Sequence, residues 1–237
     1  MKRWISVVAG LLLTPAMALA SVQSGIDAYV SGNYPAAYEQ WLPLAQQGDK
    51  DALHNLGILF LEGRGVEQNI GQAVSLLERA AELGSVSSAL ELAGLYEAGR
   101  LVPQDAAKAA EWYRQAAEAG SPLAQNNLGL LYLKGAGVER DIGQALSRFS
   151  LASSAGVAVA AENLDAVLAG LAVKQIKVRG ANVREGGSTA FPVIEWAGQG
   201  EQVHVIGEVD GWSHVYVDDD RAVGWVASRL LQAADPS

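Results

Sequence analysis

The chain has no cysteine. That excludes a disulfide scaffold, a thiol nucleophile, a thiolate metal site and a lipid carried on an N-terminal cysteine. Histidine is nearly as scarce, with only His54, His204 and His214. Basic residues are also in short supply: 17 stand against 26 acidic ones, for a net charge of −9. Such a balance opposes nucleic acid, whose phosphates have to be met by cations, and it disfavours an anionic membrane surface. Long hydrophobic runs are missing too. No stretch reaches the roughly 20 apolar residues that cross a bilayer, so no transmembrane segment is expected.

These gaps leave little room for chemistry. No G-x-S-x-G sequence occurs, and His54 has no nucleophile or carboxylate assigned to it by a motif. His204 and His214 share one C-terminal region but lack a third ligand at metal-binding spacing. Asp218, Asp219 and Asp220 are consecutive, so they cannot all face one ion as ligands spaced by two do. Gly63-Arg64-Gly65 and Gly135-Ala136-Gly137 lack the lysine and the preceding strand of a phosphate loop. The expectation is therefore no catalytic residue, no metal and no cofactor.

Residues 1–20 read as a cleaved signal peptide. Lys2 and Arg3 precede an apolar stretch from Ile5 to Leu13, and Ala18-Leu19-Ala20 gives a small-x-small cleavage site. Cleavage after Ala20 and a periplasmic or secreted location follow as expectations.

What the chain has in abundance is a repeat. Asn33, Asn69, Asp105 and Asp141 recur every 36 residues, each able to cap a helix by accepting a bond from a free N–H. Four residues on stands alanine (Ala37, Ala73, Ala109, Ala145), and eight on a bulky residue (Trp41, Leu77, Tyr113, Phe149). Twelve on is a small one (Ala45, Ala81, Ala117, Ser153), and fifteen on a glycine (Gly48, Gly84, Gly120, Gly156). A helix with this small–large–small stripe cannot bury it alone, whereas stacked copies can. Between the copies lie Ala52 to Gly57, Ala89 to Gly94 and Ala124 to Gly129, each opening a shorter helix that leads into a glycine loop.

At these residues the chain resembles the Sel1-like repeat family, a relative of the tetratricopeptide repeats. The family pattern A-x-x-x-L-G-x-x-Y-x-x-G-x-G-V-x-x-D-x-x-x-A-x-x-W-Y-x-x-A-A-x-x-G is followed most closely from Ala124 to Gly156. The resemblance implies an α-solenoid of about four helix pairs that makes protein–protein contacts. Its inner curve is lined mainly by the shorter helices, which nominates His54, Asn55, Glu91, Asn126 and Asn127 as groove contacts. Phe60, Tyr96 and Tyr132 lie near these, with Tyr96 and Tyr132 close to the family's core position. The apolar stretch from Val167 to Val173 is placed to seal the stack against whatever follows.

After about Val173 alanine thins out and valine alternation takes over, as in Val203-His204-Val205 and His214-Val215-Tyr216-Val217. Glycine turns and short strands at this spacing indicate a small barrel. The residues from Asn182-Val183-Arg184 to Gly224-Trp225-Val226 and Leu230-Leu231 are similar to the bacterial SH3 family, whose modules bind cell-wall peptides or partner segments. Candidate ligand contacts there are Asn182, Arg184, Trp196, Trp212 and Tyr216. Trp196 either fills the core slot that the small Ala197 leaves or stands on the surface as an aromatic platform.

The expected architecture is thus multidomain α and β: a signal peptide at 1–20, a Sel1-like α-solenoid at 21–172, an SH3-like β-barrel at 173–232 and a tail at 233–237. The expected role is a non-enzymatic cell-envelope binding protein, with an envelope protein in the solenoid groove and peptidoglycan or a partner peptide on the barrel. Two alternatives stand beside it. One is a regulator or inhibitor of a peptidoglycan-remodelling enzyme. The other, a β-lactam hydrolase, is implied only by cysteine-rich members of the repeat family, and the lack of cysteine weighs against it.

Overall fold

The structure is a computed structural model, and it describes residues 21–234. The signal-peptide reading of residues 1–20 lies outside the described residues.

Nine helices are seen among the described residues, and each packs on the next. They are α1 (Val22–Val30), α2 (Tyr34–Gln46), α3 (Lys50–Glu62), α4 (Ile70–Glu82), α5 (Val86–Ala98), α6 (Ala106–Glu118), α7 (Pro122–Lys134), α8 (Ile142–Ser154) and α9 (Ala158–Leu168). The caps that set the period do their expected work: the side chains of Asn33, Asn69, Asp105 and Asp141 accept from the backbone N–H three residues on. The alanines four residues later are wholly buried, and Trp41, Leu77, Tyr113 and Phe149 are at most 4% exposed. Small residues thus let the helices approach while one large side chain per repeat fills the space between them.

The other helix of each pair is not shorter, as the sequence suggested. Helices α3, α5 and α7 have 13 residues each, the same as α4, α6 and α8. Asp49, Ser85 and Ser121 cap them three or four residues before the alanine pattern becomes visible. Left-handed Gly63, Gly99 and Gly135 end them. Both ends keep the 36-residue period, so Ala93, and not Gly94, occupies the place of Gly57 and Gly129. Consistently, Gly57 and Gly129 sit tight against Leu77 and Phe149, whereas Gly94 faces open space.

The chain then enters seven strands: β1 (Ala172–Ile176), β2 (Gly180–Arg184), β3 (Val193–Gly198), β4 (Gln202–Val209), β5 (Trp212–Val217), β6 (Ala222–Ala227) and β7 (Leu231–Ala233). They form one antiparallel sheet in the order β3-β2-β6-β5-β4-β1-β7. The sheet curls around a single core of Ile176, Ala181, Val183, Ala197, Val203, Val215, Val217, Val226 and Leu231.

Solenoid and barrel share a second core. On β5, Ser213, Val215 and Val217 point inward by strand alternation, so His214 and Tyr216 point outward. Outward here means into the helices. Tyr216 is 2% exposed and packs with Ala145, Leu146, Phe149 and Leu164. Ile206, displaced by a bulge in β4, joins the same cluster along with Val223, Val167, Leu168 and Leu171. The apolar stretch that begins at the end of α9 therefore seals the stack as expected, and the barrel is what it seals against. His214 stacks on Trp225 with ring centroids 4.6 Å apart. Its other side meets Gly143 of α8, where a Cβ would come within 2.6 Å of the ring. Arg221 reaches across to donate to Ser154 Oγ at 2.9 Å.

Candidate functional site

Two surfaces carry the candidate residues. The first lies on the helices α3, α5 and α7. His54 and Asn55 line a cavity of about 350 Å³ together with Ile26, Tyr29, Trp41 and Ile58. Ile58 stands one helical turn beyond His54, and Ile26 and Tyr29 come from α1, so only part of this wall was visible as a repeat. His54 Nδ1 meets Ser88 Oγ at 2.9 Å on the next repeat. Burial depresses the imidazole pKa, opposed by the charge of Asp51, so the ring favours its neutral form.

Glu91 lines a separate cavity of about 240 Å³ with Leu90, Leu95 and Leu101. Its residue surface is exposed, yet loss of water around the carboxyl, reinforced by Glu62, raises its pKa. Asn126 does not serve as a groove contact. It is 3% exposed, donating to Asn127 Oδ1 at 3.2 Å and accepting from Asn163 at 2.9 Å. Its amide is used up in tying α7 to α9. Asn127 remains half-buried beside Tyr113.

The second surface is the outer face of the barrel where β2 meets β3. Alternation buries Ala181 and Val183 and leaves Gly180, Asn182 and Arg184 on the outer side. Trp196 pairs directly with Asn182 across the strands. It stands 57% exposed, while Ala197 is fully buried. The indole therefore forms a platform and does not fill the core. It lies across Gly180, where any Cβ would overlap the ring. Asn182, Arg184 and Trp212 line one pocket of about 190 Å³ with Gly180, Thr189 and Arg229. Arg184 Nη1 donates to Phe191 O at 2.7 Å, which braces the loop between β2 and β3. Four of the five barrel candidates thus share one face. Tyr216 is the exception: it lies on the opposite flank, sealed by the helices. Arg229 went unnoticed in the sequence because the Ser228–Leu230 turn brings it to the pocket only when the sheet closes.

The histidines of the barrel stay apart. His204 bonds Asp218 at 3.1 Å, and His214 is held between Trp225 and Gly143. Among the described residues no three His, Cys, Asp or Glu side chains converge as metal ligands.

Known proteins repeat both halves of this architecture. The Sel1 repeat family matches residues 50–85, 86–121 and 122–157, and the bacterial SH3 domain family matches residues 179–232. A Sel1 repeat protein from Oxalobacter formigenes is 36% identical, with a TM-score of 0.51, over 54% of this chain and 96% of that one. The chain belongs to the Sel1 repeat family. A protective antigen of uropathogenic Escherichia coli strains that displays an SLR fold is 30% identical, with a TM-score of 0.58. That match covers 62% of this Sel1 repeat chain and only 32% of the antigen. Cysteine-rich protein B of Helicobacter pylori is 26% identical over 54% of this chain and 96% of its own, with a TM-score of 0.42. No curated protein matches. The Sel1 solenoid and bacterial SH3 barrel together suggest a protein-binding role.

Proposed function

We propose that this Sel1 repeat protein is a non-enzymatic binding protein of the bacterial cell envelope. Its barrel recognises peptidoglycan or a partner peptide, and its solenoid groove holds an envelope protein. The observation that carries this reading is Trp196, exposed on the barrel face beside Asn182 and the Arg184 pocket. An exposed indole offers a flat apolar face and an N–H to a ligand, and Phe191, Val193 and Ile194 close by in the chain are exposed as well. The leader-like features of residues 1–20 support the envelope assignment.

The test is co-sedimentation of the chain from Ser21 onward with insoluble peptidoglycan. Retention in the pellet, reduced by Trp196→Ala, is the expected result. Equal recovery of both proteins in the supernatant would remove the wall from the proposal. In the second reading the groove partner is itself a wall-remodelling enzyme; the apolar cavities beside His54 and Glu91 give a partner protein a place to dock. A purified amidase or transglycosylase whose rate is unchanged by the protein would count against it.

A further inference from the structure

We infer that the notch at Gly94 on α5 receives one lysine side chain of the groove's protein partner, its stem on Leu90, Leu95 and Leu101 and its ammonium on Glu91. This rests on the proposed groove role and names what the partner must present there.

Two departures from the repeat fall together. Ile58, Gly94 and Leu130 stand 36 residues apart, at one place on α3, α5 and α7. Asn55, Glu91 and Asn127 do the same. Of these three helices, only α5 lacks a large side chain in the first row and carries a charge in the second. Glu91 and Gly94 are three residues apart on one helix, so the gap and the charge share a face. Together they open a cavity of about 240 Å³, walled also by Leu90, Leu95, Ala98, Arg100 and Leu101.

Internal packing explains neither residue. Gly57 and Gly129 are required where Leu77 and Phe149 press on them, but a Cβ on Gly94 would meet nothing within 4 Å. A mid-helix glycine weakens a helix relative to alanine, and no contact here compensates. Among the described residues Glu91 joins no ion pair. Loss of water, reinforced by Glu62, raises its pKa, so the ionised carboxylate is poorly satisfied within the fold. Two neighbouring residues that both cost stability, in one cavity, are the pattern of a binding site.

The chemistry of the cavity selects its occupant. Three leucines and an alanine make walls for a hydrocarbon stem. Lysine lays such a stem on apolar surface and keeps its ammonium at the mouth. There it donates to Glu91, with the charge of Glu62 adding to the attraction. An acidic side chain would meet like charge, and a wholly apolar one would leave Glu91 dehydrated and unpaired. Arg100, also outside any ion pair among the described residues, opposes a second cation. Its guanidinium remains free to donate to a main-chain carbonyl of the partner.

The experiment is fluorescence anisotropy on the chain from Ser21 onward, with fluorescein-labelled Ala-Val-Lys-Val-Ala amide and the same peptide carrying norleucine for lysine. Norleucine is expected to weaken binding at least tenfold. Glu91→Gln weakens the lysine peptide by a similar factor and leaves the norleucine peptide unchanged. Gly94→Leu, which copies Leu130, abolishes binding of the lysine peptide. Its denaturant midpoint stays at or above that of the wild type, so the loss is not unfolding. Equal affinity for the two peptides, no binding of the lysine peptide at millimolar concentration, or full binding by Gly94→Leu overturns the inference. Pull-down from an envelope extract separates it from the broader proposal. If wild type and Gly94→Leu retain the same envelope protein equally, the groove reading stands and the lysine notch falls.

Discussion

Truncating Tyr216 to alanine is expected to loosen the solenoid as well as the barrel. The phenol is 2% exposed and belongs structurally to β5, but its neighbours Ala145, Leu146 and Phe149 lie on α8, and Leu164 on α9. Removing a buried aromatic ring costs about 3–5 kcal/mol through lost transfer energy and the cavity left behind. The hydroxyl also loses its partner Ser150 of α8, which adds about 1 kcal/mol. Because the walls of that cavity are mostly helical, the cost falls on both modules. Amide hydrogen exchange reads this residue by residue: Tyr216→Ala speeds exchange in α8 and α9 together with β5 and β6. Val183→Ala, confined to the barrel's own core, is the comparison and leaves α8 and α9 nearer to the wild type. Unchanged exchange in α8 and α9 in the Tyr216 variant would refute a shared core.

Three further outcomes follow from the geometry. Burial lowers the His214 pKa below its ordinary value of 6.5, with Asp141 opposing the shift. The folded state then binds fewer protons than the unfolded one, so this contribution is complete above 6.5 and is lost as pH falls from there through the depressed folded value. Denaturant midpoints should drop with acidification in the wild type and less so in His214→Phe, which keeps a ring on Trp225. Glu91 has the opposite sense: its raised pKa means the folded protein holds the proton more tightly. The ionised form is therefore destabilising above the folded pKa, and the penalty vanishes below the unfolded value. Glu91→Gln should stabilise at neutral pH, with the gain disappearing in acid. The glycines at 57 and 94 separate by sign. Gly57→Ala drives a Cβ to 2.8 Å from Leu77 Cγ and should cost about 1–3 kcal/mol. Gly94→Ala enters open space in α5 and should gain about 0.5–1 kcal/mol.

The solenoid was legible because its caps, small residues and bulky fillers all keep one period, and each has a local physical cause. The matching helices were read too short for the same reason. Asp49, Ser85 and Ser121 cap immediately after the turn glycines, where the chain looks like loop. In the barrel, alternation tells which side of a strand faces its own core. It says nothing of what lies across the other side, so Tyr216 looked like a ligand contact while the solenoid occupies it. Asn126 failed similarly: an amide on a helix face reads as polar contact until Asn163 from the next helix satisfies it. Trp196 was left open between core and surface, and the fully buried Ala197 next to it decides for the surface. Arg229 carried no signal, since the pocket residues it joins from Gly180 to Trp212 lie some 17 to 49 residues earlier in the chain.

The most direct measurement is hydrogen exchange of the chain from Ser21 onward with and without soluble peptidoglycan fragments. Slowed exchange should be confined to β2, β3 and the Ser228–Leu230 turn around Trp196 and Arg229. Protection limited to the helices, or none anywhere, would contradict a peptide-binding barrel face.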